Sequence, residues 1–268
     1  MRALILRGAW NVIRSQQDLE LLWTAMPNLT DVSTLYHTPK SYPYMTMCST
    51  LRPKLFPSGI KHLNLCLEGL YAKVPDSLAK WKKVYPTYHI CRTLGGLLPQ
   101  LETLSYTGRV CGSLFSESIR SSQLHHHDLV RTKRVDIIVK NVCRDIKATH
   151  DGAGTHNWQF ILAFESLVVQ AMRALAFYPD IEYLRIRYID LDSPDGQLNP
   201  SFHLEKDEAW GFFSDVIVEH LVAARPKASF AGVWPVEETM VELESGGRRN
   251  INIHHYRAIL NSLANRLY

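Results

Sequence analysis

Several short stretches of this sequence carry residue types that chemistry uses. DGAGTHNW, at 151–158, sets two glycines ahead of a helical pattern, where backbone N–H groups and a helix N-terminus attract anions. It lacks the G-K-[ST] ending of a phosphate loop, and no G-x-G-x-x-G occurs, so the stretch reads as a turn leading to a helix cap at Asn157. YIDLDSPDG, at 188–196, offers Asp190, Asp192 and Asp195. Asp190 and Asp192 share one side if a strand continues through them, which is a geometry for Mg²⁺, although acidic residues beside Ser-Pro are also ordinary loop chemistry. His125, His126 and His127 are consecutive, so in extended structure they alternate between faces, unlike the i, i+4 pair of a zinc helix. His156 and His203 stand alone, and the G-x-S-x-G turn of a serine hydrolase is absent.

Cysteine usage points the same way. Cys48, Cys66, Cys91, Cys111 and Cys143 are odd in number and contain no C-x-x-C pair, which fits reduced, buried thiols in the cytoplasm or nucleus and disfavours zinc. These residues assign no catalytic group, no metal site and no cofactor. The enzymatic alternative is a metal-dependent hydrolase or phosphotransfer enzyme using Asp190 and Asp192.

The elements that would position such groups come from the whole chain. With 268 residues, 46% of them hydrophobic and 21% charged, it is too apolar for disorder, and no long Pro/Ser/Gly linker divides it, so 1–268 is read as one domain. No secretory signal opens it, and its most apolar window, FILAFESLVVQAMRALAF, contains Glu165, Gln170 and Arg173, which argues against a membrane span. The net charge of +4 permits an acidic partner without requiring one. Six Lys and Arg between Arg131 and Lys147 lack interleaved aromatic residues, so they read as a solvated rim, not a nucleic-acid groove.

One pattern recurs. LLPQLETLSYTGRV places apolar residues at Leu101, Leu104 and Tyr106, starting at helical spacing and ending in alternation. The same join appears around Leu4, Val32, Leu63, Val135, Leu184 and, in worn form, Phe230. Central residues 4, 32, 63, 104, 135, 184 and 230 are separated by 28, 31, 41, 31, 49 and 46 residues, longer and less even than the about 20–29 of ordinary leucine-rich repeats. Helical patterns lie between them at 17–26, 89–98, 157–177 and 208–224. Their exits at Met26-Pro27, Leu98-Pro99, Tyr178-Pro179 and Arg225-Pro226 follow from proline's inability to continue a helix.

Helix, proline exit, strand, then the next helix gives parallel strands with right-handed crossovers, the strands lining a concave side. Leu101 is expected to plug a helix exit, with Leu104 and Tyr106 in the core and Thr103, Ser105 and Thr107 facing outward. The same parity turns Asn64, Cys66, Asp136, Ile138, Lys140, Tyr183, Arg185 and Arg187 outward. Tyr and Arg are favoured at binding hot spots, so the expected binding surface is Thr103, Ser105, Lys140, Tyr183, Arg185 and Arg187.

LLPQLETLSYTGRV, CGSLF, VDIIVKN, DGAGTHNW, YLRIRYIDLDSP and LNPSFHLE, in that order over about 60–230, resemble the carboxy-terminal region of filamentous-fungal F-box-like proteins. The resemblance implies a leucine-rich-repeat-like α/β solenoid that holds a substrate protein, behind an F-box that docks on a cullin-type ubiquitin ligase. No L-P-x-E-like F-box opening is present here, so docking on the ligase adaptor is expected only with an F-box supplied ahead of Met1. Terminal repeats need a polar cap, so the Leu4/Leu6 strand is expected to present an apolar face. The sequence thus reads as a non-catalytic protein-interaction scaffold with an unidentified protein partner on its concave face. A degenerate fragment without its own function is the remaining alternative.

Overall fold

The computed structural model describes residues 2–7, 13, 15–36, 47–49, 51–53, 55–67, 88–124, 130–142, 158–188, 200–212 and 214–231. Nine strands form one sheet in chain order: β1 Ala3–Arg7, β2 Asp31–Tyr36, β3 His62–Leu67, β4 Thr103–Val110, β5 Arg134–Val142, β6 Tyr183–Tyr188, β7 Ser201–Glu205, β8 Glu208–Gly211 and β9 Ser229–Phe230. The first six are mutually parallel, β7 and β8 run antiparallel to their predecessors, and β9 is parallel to β8. The α-helices defined among the described residues are α1 Gln16–Ala25, α2 Ile90–Leu97, α3 Ser113–Leu124, α4 Trp158–Leu175 and α5 Asp215–Ala224. Among the described residues, no helix is long and apolar enough to cross a membrane.

The central residues of the recurring pattern form one cross-strand row. Leu4 pairs with Val32, Val32 with Leu63, Leu63 with Leu104, Leu104 with Val135 and Val135 with Leu184. The row continues through Leu204 and Ala209 to Phe230. Side chains alternate along a strand, so this parity shares one face throughout. Leu63, Leu104, Val135 and Leu184 are each at most 1% exposed, as are Tyr106, Ile137 and Ile186 two positions on. They join Leu94, Leu97, Leu114, Phe164 and Val168 of the helices in a single core.

A repeated backbone device sets each register. The carbonyl of Arg2 accepts from the N–H groups of Thr30 and Asp31, and that of Thr30 accepts from Lys61 and His62. Lys61 then serves Glu102 and Thr103, Glu102 serves Lys133 and Arg134, and Lys133 serves Glu182 and Tyr183. Each of β2–β6 is therefore entered through the same pair of bonds from its predecessor, despite unequal spacing in sequence. Unequal loops leave this geometry alone because loop closure costs grow only slowly with length.

The helices start and stop for local reasons. Ser15 and Asp18 form a capping box at α1, with Asp18 N–H to Ser15 Oγ at 3.2 Å and Ser15 N–H to Asp18 Oδ2 at 2.8 Å. Ser214 caps α5 by accepting from Ile217 N–H at 3.4 Å. After α2 the chain tightens into a 3₁₀ turn, Leu98–Gln100, containing Pro99, and Leu101, fully buried, closes it. The helix exit at Leu101 and the inward Leu104 and Tyr106 are as expected. In α4, within the helical pattern read over 157–177, Phe164, Val168, Ala171, Met172 and Leu175 recur at three- and four-residue steps and are buried. The expected cap at Asn157 lies outside the described residues, as does the Ile161 side chain.

Three features differ from the sequence reading. The segment 208–224 is not one helix: Glu208–Gly211 is strand β8, and α5 starts only after Ser214. FHLE and EAWG pair as a hairpin across Lys206 and Asp207, with Lys206 in the left-handed region at φ 54°. Gly211 closes the hairpin at φ +100°, and a Cβ there would collide with the Ser201 carbonyl. Helix α3 was not anticipated, because SLFSESIRSSQL is rich in serine. Its buried serines find backbone partners instead, Ser118 Oγ donating to Phe115 O at 2.8 Å and Ser121 Oγ to Gly96 O at 3.0 Å. Gly95 lets α2 approach α3, since a Cβ would meet the Leu114 carbonyl oxygen.

Candidate interaction face

The opposite face of the sheet is built from the other parity. Ala3, Asp31, His62, Thr103, Arg134 and Tyr183 form one row across β1–β6, and Ile5, Ser33, Asn64, Ser105, Asp136 and Arg185 form the next. Both rows except Arg185 line a trough of about 400 Å³. Its middle is small and polar: Ser33, Asn64, Thr103 and Ser105 are all half-buried. At the β1 end Ile5 is 64% exposed, while Leu4 and Leu6 on the core side are half-buried. The trough thus passes from an apolar lip, over a polar floor, to a charged and aromatic wall.

That wall is held by contacts between strands. Asp136, 5% exposed, receives two hydrogen bonds from Arg185, Nε to Oδ1 at 3.1 Å and Nη2 to Oδ2 at 2.8 Å. Arg187 Nη2 lies 3.8 Å from the same Oδ2. Burial works against the charge on Arg185, but the hydrogen bond and charge of Asp136 outweigh it and raise its pKa. Arg134, exposed, stacks its guanidinium 4.3 Å from the Tyr183 ring centre. On the other side of Tyr183, the His203 ring lies at 4.8 Å, and Trp210 lies 4.2 Å beyond His203. Burial pushes His203 down to about 4, and the nearby Arg185 cation pushes it the same way.

Thr103, Ser105, Tyr183, Arg185 and Arg187 have the parity opposite to the core row, but they are not equally available. Thr103 and Ser105 lie in the trough floor, and Tyr183, 9% exposed, stands at its wall. Arg185 and Arg187 correct the expectation of outward cations, because Arg185 is tied to Asp136 and Arg187 is only 6% exposed. Periodicity assigns a face to Asp136, but it does not reveal that a carboxylate 49 positions before Arg185 sits beside it in register. Lys140 belongs to β5, and its side chain lies outside the described residues. Asp31, Ser33, Arg134 and the His203–Trp210 pair also belong to this surface; the rows passing through Thr103 and Ser105, extended to β2, carry a signal for the first two.

Asp190, Asp192 and Asp195, the three successive histidines and DGAGTHN all lie outside the described residues. Among the described residues one set of metal-type donors converges elsewhere: His89, Cys91 and Cys111. Spacing gave no sign of it, because the two cysteines are separated by a helix and a strand. No protein-family model matches the chain, and no curated protein or solved structure is similar to it.

Proposed function

We propose that this chain is a non-catalytic protein-interaction scaffold, a leucine-rich-repeat-like solenoid with the sheet face that carries the trough on the inside of the curve. In this reading it recognises a substrate protein in the manner of F-box proteins, and the trough is where the partner lies. The observation that carries the reading is the open trough across β1–β6, with small polar side chains in its middle on β2–β4 and Arg134 against Tyr183 at one end. Five strand steps amount to roughly 24 Å, about seven residues of extended polypeptide. The fitting partner is such a segment, with an apolar side chain over Ile5, its backbone over Ser33, Asn64 and Ser105, and a carboxylate at Arg134. Small hydroxyl and amide side chains suit that task because they leave room for a backbone and offer it hydrogen bonds. Attachment to a ubiquitin ligase belongs to this proposal only where an F-box accompanies the chain.

Site-specific photocrosslinking in a fungal extract tests it. A photoreactive residue at Asn64 is expected to capture one protein that the same residue at exposed Arg120 on α3 does not, and Arg134→Glu is expected to abolish the capture. Equal capture from both positions, or capture indifferent to Arg134→Glu, overturns the reading.

A further inference from the structure

His89 caps α2 at its N-terminus, Cys91 lies in the first turn, and Cys111 follows β4 immediately. Helix α2 leads into β4 and runs back along it, so the start of the helix meets the end of the strand. The ligand atoms of His89, Cys91 and Cys111 all lie within 4.8 Å of one another, and His89 Nε2 is 3.6 Å from Cys111 Sγ. Two ligands sharing a tetrahedral zinc, with Zn–S about 2.3 Å and Zn–N about 2.0 Å, stand roughly 3.5–3.8 Å apart. The thiol–imidazole pair therefore already has the separation that a shared ion would impose.

We propose that His89, Cys91 and Cys111 form a site for one thiophilic d¹⁰ metal ion, Zn²⁺ in the first instance. One imidazole and two thiolates are a soft donor set that selects such ions over Mg²⁺ or Ca²⁺. A Cys–His hydrogen bond alone would use His89 and Cys111; Cys91, in the first turn of α2, brings a third donor atom to the same point and completes one face of a tetrahedron. The fourth position remains for water or an added ligand, as in zinc sites with three protein donors. Cys91 Sγ lies 3.6 Å from the Arg109 carbonyl, which also accepts from Tyr106 Oη at 2.9 Å. That carbonyl holds the Cys91 thiol in place before the metal arrives. Binding releases the thiol protons to solvent, and the N-terminal end of α2 favours the resulting Cys91 thiolate. The two half-buried ligands, His89 and Cys111, leave the site an approach from solvent, while Cys91 is fully buried.

Cobalt(II) titration of the reduced full-length chain reads the site directly. One equivalent is expected to produce a sulfur-to-cobalt charge-transfer band of two-thiolate intensity that one equivalent of Zn²⁺ removes. Cys111→Ser is expected to halve the band, His89→Gln to weaken cobalt affinity at least tenfold, and Cys66→Ser to leave both unchanged. Because Cys91 is fully buried, the test rests on Cys111→Ser and His89→Gln, with folding checked by circular dichroism. Zinc is also expected to protect half-buried Cys111, and not half-buried Cys66, from alkylation followed by mass spectrometry. A folded chain with no charge-transfer band, a band unchanged in Cys111→Ser, or alkylation indifferent to zinc overturns the site.

Discussion

The parallel section, β1–β6, and the section that follows it, β7–β9, solve the same packing problem in different ways. In the first, each strand from β2 to β6 is reached through a long connection and entered by two N–H groups bonding to one carbonyl of the preceding unit. In the second, the chain turns back on itself in a tight hairpin, with Lys206 in the left-handed region. The apolar row nevertheless runs unbroken from Leu184 through Leu204 to Ala209. Directly opposed residues share a face whichever way their strands run, so reversing direction preserves the core as long as the register holds. The outward face changes more. Over the parallel strands it is floored by small polar groups, whereas at the hairpin His203 and Trp210 stack beside Tyr183. The reversal adds the aromatic stack that backs Tyr183.

This comparison can be broken most forcefully through the core. Leu104→Ala, in the middle of the parallel section, is expected to cost about 2–5 kcal/mol in urea unfolding. Leu204→Ala in the hairpin belongs to the same row and is expected in the same range. A loss below about 1 kcal/mol at Leu204 would mean that the hairpin is an appendage and not part of the shared core. Asp136→Ala comes next. Removing the carboxylate strands Arg185 beside Arg187, with an expected loss of roughly 2–4 kcal/mol, less than for a fully enclosed pair because Arg185 keeps some contact with water.

A smaller effect belongs to the hairpin alone. His203 is held near pKa 4, below its ordinary 6.5, so the unfolded chain binds the proton more readily. Stability is therefore expected to rise with pH across that window and to fall as pH drops from about 6.5 toward 4. Discounted for solvent screening of a partly exposed ring, the change is on the order of 1 kcal/mol, and urea unfolding of wild type and His203→Gln between pH 4 and 7 isolates it. The smallest effect is at the trough floor. Ser105→Ala is expected to change stability by no more than about 0.5 kcal/mol, while reducing capture of the partner by the Asn64 photocrosslinker. A stability loss well above that figure would show that the floor is structural.

Much of the architecture was legible because the relevant signals are local. Leu4, Val32, Leu63, Leu104, Val135, Leu184 and Phe230 were identifiable as equivalent positions from short apolar patterns, and they do lie in one row. Proline exits located the ends of α1 and α2 for the same local reason. The hairpin was less legible, since EAWG followed by a helix-forming stretch blends two periods, and the stop between them is carried by Gly211 and Ser214 alone. Helix α3 hid behind serines whose hydroxyls are satisfied partly within the helix, as Ser118 on Phe115, and partly across it after packing, as Ser121 on Gly96.

By itself, the sequence determined which residues alternate inward and outward, where most helices stop, and which strands are equivalent, because each follows from spacing within a few residues. Only the tertiary structure decided that Asp136 restrains Arg185, that His203 loses its proton affinity, and that His89 and Cys91 meet Cys111. Those outcomes depend on register and approach between segments far apart in the chain, where charge and desolvation act through distance in space and leave no trace in local composition.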